Sequence, residues 1–201
     1  MKKVVLASVL LLSIGFVQAA ESVRWDSASL SYQSVDIDIF KLTGFGVSGT
    51  KLIGEDLFIT GSYSSVSGDN DDDKSSSIAA VDLDLNTLSV GLGYRHAISS
   101  KIDLFGVFSY QNIENKMSIY GRPFGLNGSE NGFVLQAGIR SLVSEHIELS
   151  GSLSYVDIAD ESDTGFNISA MYHFTDQISA GLGYGKYDDA NSLSLSAVLF
   201  F

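Results

Sequence analysis

The chain has no cysteine, one proline and few charges, with Asp, Glu, Lys and Arg together making up 18% of its 201 residues. Without cysteine, neither a disulfide scaffold nor a thiolate metal site can form. A single proline beside 20 glycines and 45% hydrophobic residues excludes collagen and low-complexity disorder. Positive charge is scarce as well. Lys and Arg number 12 against 24 Asp and Glu, a net charge of −12, so the basic footprint of sequence-independent nucleic-acid binding is missing and no nucleic-acid partner is expected. Beyond Val17 no apolar run approaches the ~20 residues with which a helix spans a bilayer, which excludes a helical membrane protein.

What is present begins with an address. Lys2 and Lys3 precede an almost unbroken apolar run from Val4 to Val17, and Val17-Gln18-Ala19 supplies small residues at a cleavage spacing. This pattern predicts a secretory signal peptide over 1–19, removed after Ala19, and a single mature domain over 20–201. Without Lys2 and Lys3 the mature chain keeps 10 basic against 24 acidic residues, a net −14.

Aligning the remainder on its tyrosines exposes an internal repeat: Leu57 to Tyr63, Leu104 to Tyr110, Leu149 to Tyr155 and Ile178 to Tyr184. In each, one parity is aliphatic, small or aromatic and the other is mostly Ser, Thr or Gly. Period-two alternation predicts β-strands. Gly46, Gly93 and Gly138 each lie 17 positions before Tyr63, Tyr110 and Tyr155. That constant offset predicts hairpins turning near Gly54-Glu55, Ser99-Ser100 and Ser144-Glu145, with a tighter turn near Asp176. The pattern predicts ten strands, at 23–34, 39–51, 56–66, 80–97, 102–113, 131–142, 147–158, 165–174, 178–188 and 191–201. Eight remain if the bends at Asp36 to Ile39 and Asp188 to Asn191 are read differently. Four short turns alternate with connections on the other side, two of them long and polar at 67–79 and 114–130. This predicts an all-β, antiparallel up-and-down transmembrane barrel with both termini at the short-turn end.

The face assignment follows from charge. A soluble barrel or sandwich would carry Lys, Glu and Asp on its wet face, whereas the non-apolar parity here is mainly Ser, Gly and Thr, which suits the inside of a narrow barrel. The apolar parity, exemplified by Leu88, Val90, Leu92 and Tyr94, then faces lipid, and closure is required because lipid cannot hydrogen-bond an open sheet edge.

The last strand carries a resemblance. Leu193, Leu195, Ala197, Leu199 and the terminal Phe201 share one parity, while Ser192, Ser194 and Ser196 share the other. A terminal aromatic behind alternating apolar residues resembles the assembly signal of bacterial outer-membrane barrels. With the leader and the Gly-x-Gly-Tyr strands at Gly91 to Tyr94 and Gly181 to Tyr184, the mature chain resembles the small OmpA/OmpX/opacity-type outer-membrane β-barrel family. The resemblance implies a Gram-negative outer membrane, insertion by the barrel assembly machinery, and lipid and lipopolysaccharide as surroundings. It implies no single activity, since members include anchors, adhesins, small pores and enzymes. No peptidoglycan-binding domain follows the barrel as it does in the type member, so no direct cell-wall tether is expected.

Several constellations bear on chemistry. Gly44 to Gly49 spells a dinucleotide fingerprint, but that motif must open a helix and here it lies within a strand. Asp69, Asp71 and Asp73 have the spacing that begins a calcium loop, yet Lys74 and Ala80 stand where the sixth-position Gly and twelfth-position Glu belong. No metal and no cofactor are expected. Arg95 with Asp103, and Arg140 with Glu148, sit symmetrically about their turns with inward parity. They predict an ion-paired cluster near the periplasmic end that closes the lumen, because an unpaired buried charge is costly. His96, His146 and His173 all fall beside short turns, away from the outer rim, and Asp82 and Asp84 have no histidine on their side, so no catalytic residue is assigned. Tyr120, Arg122 and Phe124 in the long connection are candidates for a surface interaction.

The expected protein is therefore a monomeric, non-enzymatic outer-membrane barrel with a structural or adhesin-like role at the cell surface. A narrow diffusion channel for small solutes is the alternative, and a barrel-type lipid-modifying enzyme or protease a second.

Overall fold

A computed structural model describes residues 22–37, 40–69, 81–119, 122–123, 128–159, 161–188 and 190–201. Among them are ten long strands and one two-residue strand: β1 (Ser27–Ile37), β2 (Phe40–Ile53), β3 (Leu57–Asp69), β4 (Val81–Ser99), β5 (Ile102–Ile119), β6 (Arg122–Pro123), β7 (Gly128–Leu142), β8 (Ile147–Ile158), β9 (Glu161–His173), β10 (Ile178–Tyr187) and β11 (Ala190–Phe200). Each long strand pairs antiparallel with its chain neighbours, β1 pairs with β11, and β6 only extends the edge of β5. The ten long strands close into a barrel. Closure satisfies every ladder edge, as a lipid-embedded sheet requires.

The alternation dictates the wall. Leu88, Val90, Leu92 and Tyr94 are exposed on the outside, while Ser89, Gly91 and Gly93 face in. From Leu88 to Ile98, β4 rises roughly 25 Å at about 3.3 Å per residue and a tilt of ~40°, the height of an outer-membrane apolar band. Tyr32, Tyr63, Tyr110 and Tyr155 ring the upper edge of this band, and Tyr172, Phe174 and Phe201 ring the lower edge, all of them exposed. Tyrosine hydroxyls at this level reach polar partners above it, Tyr63 donating to Asn86 (3.3 Å) and the half-buried Tyr184 to Asn191 (2.9 Å).

Above the upper ring the two faces exchange polarity without a break in register. On β4, Asp82 and Asp84 point outward and Leu83 and Leu85 point in, whereas below the ring Leu88 and Val90 point outward. Val35 and Ile37 on β1, Leu42 on β2, Val66 on β3, Ile113 on β5 and Val156 and Ile158 on β8 join the same inner cluster. The barrel rises out of the lipid and, where water meets its outside, carries a soluble protein's apolar core. The Ser, Gly and Thr that the alternation assigns to the lumen therefore fill its middle, and apolar side chains take their place above the ring.

Two further expectations change. The connection expected over 114–130 is largely strand, for β5 continues to Ile119 and pairs Glu114 with Ser129 and Asn115 with Gly128. Polar outward residues are ordinary in a strand once it has left the lipid. At the other end, 23–26 is not part of β1: Ser22–Asp26 leaves the wall and enters the barrel mouth. The leader over 1–19, together with Asp71, Asp73, Tyr120 and Phe124, lies outside the described residues, and of Asp69 and Arg122 only the backbone is described.

Candidate functional site: the sealed lumen

The periplasmic end is built from the hairpin repeat and closed by the chain's own N-terminal segment. Equivalent positions of β3 and β5 carry Phe58 and Phe105, each directly opposite a glycine, Gly93 and Gly138. A Cβ on either glycine would strike the facing ring, so both aromatics lie flat against the wall. Trp25 lands on them, its ring 4.5 Å from Phe58 and 5.7 Å from Phe105. Val23, Leu142, Met171, Val198 and Phe200 complete this apolar cluster. Burying an indole removes on the order of 200 Å² from water, worth on the order of 5 kcal/mol at ~25 cal/mol per Å².

The four sequence-assigned charges meet the same plug. Arg140 Nε donates to Glu148 Oε1 at 2.9 Å, both side chains being almost completely buried, and Arg95 Nη1 lies 3.4 Å from Asp103 Oδ2. Register places Asp103 directly opposite Arg140, so the two pairs form one belt. Trp25 ties the belt together: its Nε1 donates to Asp103 Oδ2 at 2.8 Å, and the Arg140 guanidinium lies 4.3 Å from its ring centroid. Arg140 Nη2 also donates to the Arg24 carbonyl at 2.9 Å. The sequence reading missed this role for Trp25. The available signal was one tryptophan in the chain, placed between two basic or acidic neighbours, Arg24 and Asp26, just before the first strand.

The segment is fixed at both sides of the mouth. The Val23 amide donates to the Ser100 carbonyl (3.2 Å), and Arg24 Nη1 donates to the Asp176 carbonyl (3.3 Å). Asp26 forms an ion pair with Lys51, and its Oδ1 accepts the Leu52 amide at 2.7 Å. Partial burial pushes the Asp26 carboxyl up, but the Lys51 and Leu52 hydrogen bonds and the charges of Lys51 and Arg24 outweigh it and hold the group below its ordinary value.

Between the periplasmic plug and the extracellular apolar core lies a polar middle. Ser29 and Ser48 share a hydrogen bond of 2.8 Å, Ser150 and Ser169 one of 2.6 Å, and Gln136 donates to Ser152 at 2.9 Å. Ser64 on β3 and Thr87 opposite it on β4, with Gln111 one step lower on β5, keep buried side-chain atoms without a protein partner, the setting in which ordered water occupies an interior.

The remaining candidates are spread out. His173 is buried in the periplasmic plug, with Nδ1 2.6 Å from Ser179 Oγ, while His146 stacks on Tyr172 and His96 is exposed. Asp82 accepts from Ser118 at 3.0 Å on the outer face above the lipid. Leu193, Leu195, Ala197 and Leu199 point outward along β11, with Phe201 exposed beyond it. Among the described residues, no group of three or more His, Asp or Glu is placed to hold a metal ion.

A closed ten-stranded barrel with a lipid-matched belt and internal seals is an integral outer-membrane protein. The chain belongs to the family described as the outer membrane protein beta-barrel domain, which matches residues 4–185, and its location is the bacterial outer membrane. Among solved structures, the NanC porin has 8% identity over 87% of this chain and 99% of its own, with a TM-score of 0.52. The attachment invasion locus protein Ail of Yersinia pestis has 17% identity over 88% and 99%, with a TM-score of 0.40. Neisserial surface protein A has 13% identity over 88% and 96%, with a TM-score of 0.44. No curated protein matches.

Proposed function

We propose that this protein is a non-conducting, non-enzymatic outer-membrane barrel with a structural or surface-interaction role, presenting its protruding strands to the cell exterior. The observation that carries this reading is the pair of seals. Among the described residues an apolar core above and an aromatic, ion-paired plug below bracket the polar middle, whereas a diffusion pore needs a continuous aqueous path. The four charges close the lumen not alone but as the counter-surface for Trp25.

The outward faces of β4, β5 and β7 above the tyrosine ring supply the interactive surface. Asp84 lies opposite Lys116 in register, and Asn112 Nδ2 donates to Ser129 (2.8 Å) and Asn131 (2.7 Å), giving a rigid polar face rather than a loose loop. The backbone of Arg122 extends the edge of β5 at the same end. Liposomes carrying the purified protein should swell in arabinose no faster than protein-free liposomes. Deleting 118–128 should reduce attachment of expressing cells to their surface without altering barrel mobility on gels. Rapid swelling overturns the closed barrel, and unchanged attachment overturns the interactive role.

A further inference from the structure

The outer wall of β7 to β10 carries a groove of about 810 Å³ that the sealed lumen does not use. Its position follows from register. One row of outward side chains runs Ala137, Leu153, Phe166 and Lys186, each paired with the next across adjacent strands. The row above runs Leu135, Tyr155 and Thr164 and ends beside Asp188. The groove lies between these rows and crosses four strands, about 14 Å at the usual ~4.8 Å strand spacing. The small side chains of Ala137 and Thr164 and the backbone beneath them make its floor, with Leu153, Tyr155 and Phe166 as walls.

The two ends differ in chemistry. At Leu135 and Ala137 the groove is apolar and lies within the lipid-facing band. At the other end, where β10 reaches the extracellular surface, it meets Lys186 and Asp188, both exposed. Among the described residues, Lys41 and Lys116, the other exposed lysines of this rim, lie opposite Asp36 and Asp84 in register, but Lys186 lies opposite Phe166 and Asn191. Among the described residues neither Lys186 nor Asp188 makes an ion pair. Asp163, the other acid that lines the groove, accepts the Thr164 amide at 2.6 Å through its Oδ1.

We propose that this groove binds one glycerophospholipid with a phosphoethanolamine headgroup in the outward-facing leaflet. An acyl chain lies along Leu135, Ala137, Leu153 and Phe166, the phosphate meets Lys186, and the ammonium meets Asp188. A free cation and a free anion at the head of an apolar trough complement a zwitterion; a purely anionic headgroup would leave Asp188 facing like charge.

The test is native mass spectrometry of the full-length mature protein in detergent, titrated separately with dimyristoyl phosphatidylethanolamine, phosphatidylglycerol and phosphatidylcholine. The wild type should retain one phosphatidylethanolamine in preference to the other two. Ala137→Trp, which fills the trough from the lipid side, should reduce retention about tenfold. Lys186→Glu and Asp188→Asn should each remove the headgroup preference, with folding of all variants checked by heat-modifiable mobility. Equal retention of the three lipids, retention unaffected by Ala137→Trp, preference for phosphatidylglycerol, or lipopolysaccharide held in place of phospholipid would each overturn the assignment. These outcomes are independent of solute flux, so the groove and the closed lumen fail separately.

Discussion

The guanidinium of Arg140 lies 4.3 Å from the ring centroid of Trp25, although β7, which carries Arg140, stands halfway round the ring from β1, which Trp25 precedes. The indole therefore crosses the lumen. It places a cation–π contact and a hydrogen bond to Asp103 where a pore would need water.

Removing Arg140 should be far more damaging than replacing its pair. Arg140→Ala leaves Glu148 buried without its cation, a situation that costs about 3–5 kcal/mol, whereas Arg140→Met combined with Glu148→Leu should fall near the wild type. Urea titration of the folded barrel, followed by gel mobility, distinguishes the two. Equal stability of the single and double variants would contradict a buried pair.

Trp25 is the chain's only tryptophan, so its fluorescence reports the plug alone. In the wild type the emission should be blue-shifted and shielded from acrylamide. Because the Asp26 carboxyl is held below its ordinary value of 3.8, its contribution is complete above that pH and is lost as the pH falls through the lower, folded-state value. Quenching should stay constant from neutrality to about pH 4 and rise only under stronger acid. Asp26→Asn should raise quenching already at pH 7. A rise near pH 6 in the wild type would show that another group governs attachment.

Gly93 and Phe58 should behave as a unit. Gly93→Ala drives a Cβ into the Phe58 ring, and overpacking of this kind costs about 1–3 kcal/mol. With Phe58→Ala in place the same substitution should cost much less than it does alone. Additive effects in the double-mutant cycle would contradict the contact.

The exchange of polarity along β4 predicts opposite tolerances five or more residues apart. Leu92→Arg, in the lipid belt, should cost about 2–4 kcal/mol, whereas Asp84→Arg on the same outward face should change stability by less than about 1 kcal/mol. Leu83→Asp, which puts a charge into the upper core, should be strongly destabilising. Equal sensitivity at Asp84 and Leu92 would place both in lipid and remove the upper apolar core from water.

The strands were legible because a hairpin repeat and period-two alternation are local signals, as at Leu104 to Tyr110. The symmetric spacing of Arg95 with Asp103 and of Arg140 with Glu148 likewise projects onto adjacent strands and can be read from numbers alone. What is non-local escaped. Val23 and Trp25 alternate with polar neighbours as a strand would, but on the parity opposite to Ala28, Leu30 and Tyr32; that phase shift is the only nearby sign, and the distant Phe58, Phe105 and Arg140 decide where the segment goes. The upper core was written in the sequence as a change of phase, Leu83 and Leu85 against Leu88 and Val90, but a phase change has meaning only when the solvent outside changes from lipid to water. For the same reason Glu114 to Lys116 looked like loop.

The central claim is that both ends of the lumen are sealed, and planar-bilayer recording tests it most directly. Wild-type protein and Trp25→Ala should give no conductance steps, the second because the upper core still closes the barrel. Trp25→Ala combined with Leu83→Ser and Leu85→Ser, in protein that keeps its folded gel mobility, should give steps. Steady single-channel openings from the wild type would contradict the account.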